Sequence, residues 1–283
     1  MGRPFPCQSR GPKFQVMTTK QPTPDRDNGT ARTLRFDDAV ELAQCVVAAP
    51  RPILIGLDLD GVLSPLVDHA DDARLLDGVA EAIEQLDTFK DVAVSVVSGR
   101  ALTSMRTFGL PSHVHLIGSH GIEVANTPML PLTDEEHTRL STLRMLAQEA
   151  AAMAGPGAWV ETKFASVAIH VRTANPDTSH WALANLKQQT TAVDGASCKP
   201  GSNVLELFAR HTSKGAAVVQ LRQTINANTV VFIGDDVTDE EAFAVLRGND
   251  ISIKVGTAPT IAQHRLSDPH AVLRWLTALA SGF

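Results

Sequence analysis

The apolar run Pro52-Ile53-Leu54-Ile55-Gly56-Leu57, followed at once by Asp58-Leu59-Asp60-Gly61, reads as a buried strand that delivers two carboxylates where it ends. Alternate side chains share a strand face, so Asp58 and Asp60 can face one crevice. Before it, Val40, Ala43, Val46 and Val47 recur at helical spacing over residues 37–49. After it, Leu75, Leu76, Val79, Ile83 and Leu86 form an apolar stripe that predicts a helix of about sixteen residues. The β-branched run Val92-Ala93-Val94-Ser95-Val96-Val97 then ends in Ser98-Gly99-Arg100. Strand, helix, strand is a βαβ unit, expected to be right-handed and parallel. Asp58 and Ser98 would then sit at the carboxyl ends of neighbouring strands, where open α/β sheets bind ligands.

A second helix is expected from near Ala101, followed by a strand at Val114-His115-Leu116-Ile117 and a glycine-rich exit, Gly118-Ser119-His120-Gly121-Ile122-Glu123. Beyond Pro128 the pattern changes. Thr133-Asp134-Glu135-Glu136 is a capping box opening a helix that runs to Gly155-Pro156-Gly157. Residues 159–163 and 166–172 alternate as two strands of a hairpin, and a helix over 177–189 and a strand over 204–208 follow. Alternation of helix and apolar strand then resumes: a helix over 214–225, a strand over 230–233, the acidic turn Gly234-Asp235-Asp236-Val237-Thr238-Asp239-Glu240-Glu241, a helix over 240–247, a strand over 251–255 and a C-terminal helix carrying Val272, Trp275, Leu276 and Leu279. The fold class is α/β: a Rossmann-like parallel sheet core interrupted by a smaller α+β block. The expected organisation is an N-terminal arm over 1–34, a first part of the core over 35–125, an inserted α+β domain over 126–209 and a second part of the core over 210–283.

Composition adds exclusions. The chain has 283 residues, 43% hydrophobic and 20% charged, an ordinary globular balance. A net charge of −6 offers no basic footprint for nucleic acid, and no apolar run approaches a membrane span. Residues 1–35 hold seven Lys or Arg against two Asp and lack periodicity, which predicts a disordered basic arm. Three scattered cysteines, Cys7, Cys45 and Cys198, argue against a disulfide framework and for a reducing, cytoplasmic setting. No signal peptide or myristoylation signal is evident at the start.

Three strand ends thus supply Asp58 and Asp60, then Ser98, then Asp235, Asp236 and Asp239. Carboxylates clustered without His or Cys suit a hard cation, Mg²⁺ above all, which prefers carboxylates, waters and substrate phosphate. Ser98, the amides after it and Lys214 at a helix start are the natural donors to phosphate oxygens. The expected partner is a small phosphorylated molecule.

Asp58-Leu59-Asp60-Gly61-Val62-Leu63, Ser98-Gly99-Arg100, Lys214-Gly215 and Gly234-Asp235-Asp236-Val237-Thr238-Asp239 resemble, in order, the four motifs of the haloacid dehalogenase superfamily. The resemblance implies that Asp58 is a nucleophile forming an aspartyl-phosphate and that Asp60 is the general acid and base. It makes Ser98, Gly99 and Lys214 the phosphate-binding groups. It gives Asp58, Asp60 and Asp235 as Mg²⁺ ligands, Asp60 through its main-chain carbonyl, with Asp236 and Asp239 holding metal-bound water. Asp239 alternatively caps a helix, since Thr238 and Glu241 have capping-box spacing.

An insertion between the second and third motifs resembles the cap of sugar-phosphate phosphatases. Within that class Leu63-Ser64-Pro65, the Ser98-Gly99-Arg100 turn, Gly118-Ser119-His120-Gly121-Ile122-Glu123 and the acidic turn are similar to trehalose-6-phosphate phosphatases, which implies substrate contacts at Arg100, His120 and Glu123. The hairpin looks like that family's disaccharide-contacting strand pair, implying Glu161, Lys163 and Arg172, with Glu206 from a later strand. Those charges alternatively pair across a solvated sheet face. Ser202 and Phe208 stand where the family usually has Lys and Arg, Val62 where many relatives have Thr, and Lys199 is the candidate replacement. The resemblance implies Mg²⁺-dependent hydrolysis of trehalose 6-phosphate in trehalose biosynthesis, coupled functionally to a trehalose-phosphate synthase. The alternatives are another sugar phosphate, such as sucrose 6-phosphate or mannosyl-3-phosphoglycerate, or a catalytically silent sensor or synthase partner. Residues 123–128 and 209–213 are the expected cap hinges.

Overall fold

The computed structural model describes residues 36–67, 69–201 and 203–283, so the arm expected over 1–34 and Ser202 lie outside the described residues. The first helix is short: α1 (Ala39–Val47) starts where the Asp38 carboxylate accepts from the amides of Val40 and Glu41. Strand β1 (Ile53–Leu57) is buried at all five positions. It lies between β2 (Val92–Val97) and β9 (Thr229–Gly234) and runs parallel to both. Continuous apolar runs mark strands covered on both faces, and this is such a strand.

Parallel β3 (His115–Gly118) continues the sheet beyond β2, and β4 (Glu123–Val124) closes that edge antiparallel. On the other side come β10 (Ile251–Val255) and β11 (His264–Leu266), both parallel, giving seven strands in the order β11-β10-β9-β1-β2-β3-β4. One sheet face packs Ile53, Ile55 and Leu57 against α1, α2 (Val79–Leu86) and α8 (Pro269–Gly282), with Trp275 fully buried. The opposite face packs Leu54 and Phe232 against α6 (Lys214–Ile225) and α7 (Glu240–Phe243). Between β1 and β9 the Phe232 ring occupies the space a side chain at Gly56 would take.

The second sheet is wholly antiparallel, in the order β5-β6-β8-β7, built from β5 (Trp159–Thr162), β6 (Ser166–His170), β7 (Ser197–Gly201) and β8 (Val204–Phe208). Helices α4 (Asp134–Ala154) and α5 (Pro176–Thr191) cover one of its faces around Leu143, Val167, Ile169, Leu186, Leu205 and Leu207. The Thr133–Glu136 capping box opens α4 as expected. No described helix is long and apolar enough to cross a membrane.

Four local expectations change. The stripe from Leu75 to Leu86 is helical only from Val79, because Gly78 precedes it at φ +96° in the left-handed region, and Leu75 and Leu76 pack on the core from a loop. The helix after Ala101 is the single turn α3 (Leu102–Met105), ending through a tighter turn at Gly109 with φ +71°. The helix expected over 240–247 is regular only as α7. Three strands were not anticipated. Of these β7 is hidden in sequence by Pro200, which an edge strand tolerates.

Candidate active site

The two expected carboxylates part company at the end of β1. Asp58 extends the sheet by donating its amide to the Ile233 carbonyl, and its side chain is buried, with Oδ1 accepting from the Leu59 amide at 2.8 Å. Asp60 lies in a turn and is clasped by Arg100, Nε to Oδ2 at 2.7 Å and Nη2 to Oδ1 at 2.8 Å. That is the bidentate geometry an arginine fork favours. Arg100 belongs to the turn after β2, where Ser98 is buried and its Oγ accepts from the Arg100 amide at 3.2 Å.

Lys214 opens α6 behind the N-cap Ser213 and is turned inward rather than to solvent. Its Nζ sits 2.8 Å from Asp58 Oδ2 and 2.8 Å from Asp239 Oδ1. Burial alone would pull this ammonium down, but Asp239 and Asp58 outweigh it and hold its pKa above the ordinary value. Asp239 is fully buried, and its other oxygen accepts from the Asp236 amide at 2.9 Å. The capping box of this turn therefore runs from Asp236 to Asp239, in place of the expected Thr238–Glu241 pair. Asp236 is exposed.

The carboxylate oxygens of Asp58, Asp235 and Asp239 lie within 4.8 Å of one another. Burial, then the negative charge of Asp239, pushes Asp58 well above the carboxylate range and Asp235 up to about 7, with Lys214 opposing both shifts. Hard oxygen donors whose mutual repulsion is only partly relieved by one lysine fit a hard divalent cation. The carboxylates of Asp60 and Asp236 are not in this trio. Gly61 makes the approach possible: it is left-handed at φ +76°, and a Cβ there would overlap the Asp235 carboxylate.

His120 follows β3 and fills the space above Gly99, where a Cβ would come within 2.6 Å of its Nε2. It is left-handed at φ +55°, its amide donates to the Ser98 carbonyl, and its own carbonyl accepts from Thr212 Oγ1 at 2.7 Å. Burial first, then the ammonium groups of Lys214, Lys199 and Lys163, lower its pKa to about 2, so the ring is neutral. Glu123 braces this corner, accepting from the Leu102 amide at 2.9 Å and from Ser119 Oγ at 2.7 Å.

The smaller sheet contributes a second group. Glu206 accepts from Ser166 Oγ at 2.6 Å and pairs with Lys163 at 3.1 Å. Glu161 Oε2 lies 3.0 Å from His170 Nε2, and Arg172 lies exposed past the end of β6. Phe208 sets its ring edge-on to His120 at 5.7 Å, and Lys199 reaches Glu241 of α7 at 2.8 Å. These contacts bring this sheet against the turn that ends β3 and against α7.

Two contributors escaped sequence reasoning. Lys254 is buried in β10 and donates to the carbonyls of Asp235 at 2.5 Å and Asp236 at 3.3 Å, so it holds the acidic turn from below. Its signal was a lysine between Ile253 and Val255 in a strand buried on both sides. Arg210 is the other: it pairs with Glu136 at 2.6 Å and donates to the carbonyls of Leu130 and Pro131, tying together the two chain segments that lead into and out of the smaller sheet's block. Nothing in its sequence surroundings marked it.

A family model described as trehalose-phosphatase matches residues 56–271. Trehalose-6-phosphate phosphatase of Escherichia coli K12 is 32% identical over 234 residues, covering 79% of this chain and 85% of that protein. Trehalose-phosphate phosphatase B of Arabidopsis thaliana is 30% identical over 287 residues, covering 90% of this chain and 74% of that protein. In three dimensions the chain is similar to the C-terminal domain of Candida albicans trehalose-6-phosphate phosphatase, with a TM-score of 0.74 at 20% identity, over 87% of this chain and 97% of that one. Because the matched span runs from the first strand into the last helix, and so takes in both sheets, the chain belongs to the trehalose-phosphatase family and is a phosphatase.

Proposed function

We propose that the protein hydrolyses trehalose 6-phosphate to trehalose and phosphate through an aspartyl-phosphate on Asp58, with Mg²⁺ as the metal. The observation that carries the reading is the meeting of Asp58 Oδ2 and Lys214 Nζ at 2.8 Å, at the carboxyl end of a parallel strand beside buried Ser98. Asp58 Oδ2 attacks phosphorus, forming an O–P bond as the bond to the sugar oxygen breaks. Asp60 gives its proton to that departing oxygen. It then takes a proton from the water that attacks the aspartyl-phosphate, releasing phosphate and restoring the Asp58 carboxylate. Arg100 aims the Asp60 carboxylate between these events.

Lys214, fixed by Asp239, neutralises charge on the phosphoryl oxygens, and Ser98 Oγ with the amide of Gly99 donates to them. A divalent cation held by the carboxylates of Asp58 and Asp235 and the main-chain oxygen of Asp60 would supply Lewis-acid polarisation of the phosphoryl group. Asp236 and Asp239 would hold its waters, although Asp239 is already committed to Lys214. Residues 126–209 act as a cap over the site, hinged at 123–128 and 209–213, and Arg100, His120, Glu123, Glu161, Lys163, Arg172 and Glu206 contribute substrate contacts. Closure of the cap expels water from the reaction. The same reading carries a cytoplasmic setting and functional coupling to a trehalose-phosphate synthase, the class of reaction that supplies this substrate.

The test is phosphate release across trehalose 6-phosphate, sucrose 6-phosphate and mannosyl-3-phosphoglycerate, each with Mg²⁺ and with a chelator. Trehalose 6-phosphate is expected to be the preferred substrate, and chelation to stop turnover. Preference for another ester would overturn the substrate while leaving the chemistry intact.

A further inference from the structure

The face of the smaller sheet that α4 and α5 leave uncovered can be mapped row by row from its register. Trp159, His170, Val204 and Gly201 make one row, Glu161, Ala168, Glu206 and Lys199 the next, and Ser166, Phe208 and Ser197 a third, with Lys163 joined to Ser166 by a main-chain hydrogen bond. Phe208 in the third row lies against His120, and Lys199 in the second reaches Glu241, so this face is turned toward the turn after β3 and toward α7. Four residues along a strand separate the third row from the first, about 13 Å. A second sugar ring lengthens a ligand along the strands, from the third row toward the first.

What stands at the far row is an indole. Trp159 is 54% exposed, yet its ring is not free to swing: it stacks on His170 with ring centroids 4.0 Å apart and planes 10° from parallel. His170 is in turn fixed by Glu161 Oε2, 3.0 Å from its Nε2. Stacking covers one face of the indole and leaves the ring half exposed, on the same uncovered sheet face as Glu161 one row along. Pyranose rings present apolar C–H faces bordered by hydroxyls, and an aromatic plane with a carboxylate beside it meets both needs.

We infer that Trp159 is the platform for the sugar ring remote from the phosphate, next to the substrate contact already proposed for Glu161. The inference rests on the disaccharide-phosphate reading of the site and adds to it the group that distinguishes two sugar rings from one. Phosphoryl chemistry is untouched by Trp159; what it sets is how long a substrate the site prefers.

Two measurements test it. Trp159→Ala is expected to raise the KM for trehalose 6-phosphate about five- to tenfold, with kcat within about twofold, the size of one lost aromatic stacking contact. Turnover of glucose 6-phosphate and p-nitrophenyl phosphate should stay unchanged, and Trp159→Phe should recover most of the loss. An unchanged ratio of kcat/KM between trehalose 6-phosphate and glucose 6-phosphate in the Ala variant would overturn the platform. The second measurement needs no variant at position 159. In a Trp181→Phe background Trp159 is the exposed tryptophan that remains, since Trp275 is fully buried. Trehalose 6-phosphate should shield its fluorescence from acrylamide and glucose 6-phosphate should not. Shielding without phosphate release would sink the proposed function and leave the platform standing; phosphate release without shielding would do the reverse.

Discussion

Lys214 and Asp239 form an ion pair at 2.8 Å whose side chains are 2% and 0% exposed. A pair so completely removed from water holds together only because each member is further bonded, Lys214 to Asp58 and Asp239 to the Asp236 amide. These bonds hold the Lys214 ammonium at the strand end, 2.8 Å from Asp58 Oδ2.

Replacing Lys214 with methionine keeps the stem and removes the charge. We expect kcat to fall about 100- to 1000-fold, the cost of losing one preorganised donor to developing charge. The same change leaves Asp58 and Asp239 buried without their shared cation, and a stability loss of about 3–5 kcal/mol should follow. Steady-state turnover and chemical denaturation measure the two. Asp58→Asn, which keeps the shape but not the nucleophile, should show no turnover; full activity in that variant would rule out the aspartyl-phosphate.

Gly61 tests the approach of the acidic turn to the end of β1. Its φ of +76° and the overlap of any Cβ with Asp235 mean that Gly61→Ala meets two obstacles at once. The left-handed conformation alone costs a non-glycine residue about 1–2 kcal/mol. Displacement of Asp235 should cost activity as well. A thermal melt and a kcat measurement on this variant should both drop, and a variant that melts lower with unchanged kcat would show that Asp235 tolerates the shift.

Much of this was visible in the chain itself, for identifiable reasons. β1, β2, β9 and β10 announce themselves as short apolar runs, and α4 by its capping box, because burial on both faces and cap hydrogen bonds each impose local composition. β7 did not, since an edge strand pairs on one side only and can carry Lys199, Pro200 and Gly201. The acidic trio could be foreseen as a group but not its membership. Asp60 faces Arg100 and Asp236 caps a turn, and these are choices made by packing between segments far apart in sequence. Lys254 under the acidic turn and Arg210 at the chain crossing belong to the same class.

Lys199 and Glu241 join the smaller sheet to α7 at 2.8 Å, with Glu241 38% exposed. A pair this open contributes little to global stability, about 0–1 kcal/mol. Its effect should be local. Lys199→Ala is expected to speed amide exchange in β7 and β8 while leaving the melting midpoint nearly unchanged, and Glu241→Gln should reproduce it. If the double variant exchanges faster than either single variant, the two side chains act independently and the contact is not a tie.

Glu136 offers a test by acid. Its carboxylate is pulled from an ordinary value of 4.5 down to about 2, first by hydrogen bonds from Arg210 and then, against the opposing effect of burial, by the Thr133 amide. A carboxylate whose folded pKa lies below its unfolded value binds protons more readily when unfolded, so its contribution is complete above about pH 4.5 and is lost as pH falls toward 2. Glu136→Gln keeps a side chain able to accept from the Thr133 amide and removes the charge opposite Arg210. The melting temperatures of wild type and variant should therefore differ at neutral pH and converge as the solution is taken through that window. A difference that persists undiminished at the acid end would mean that Arg210 holds the two chain segments through the carbonyls of Leu130 and Pro131, with the ion pair incidental.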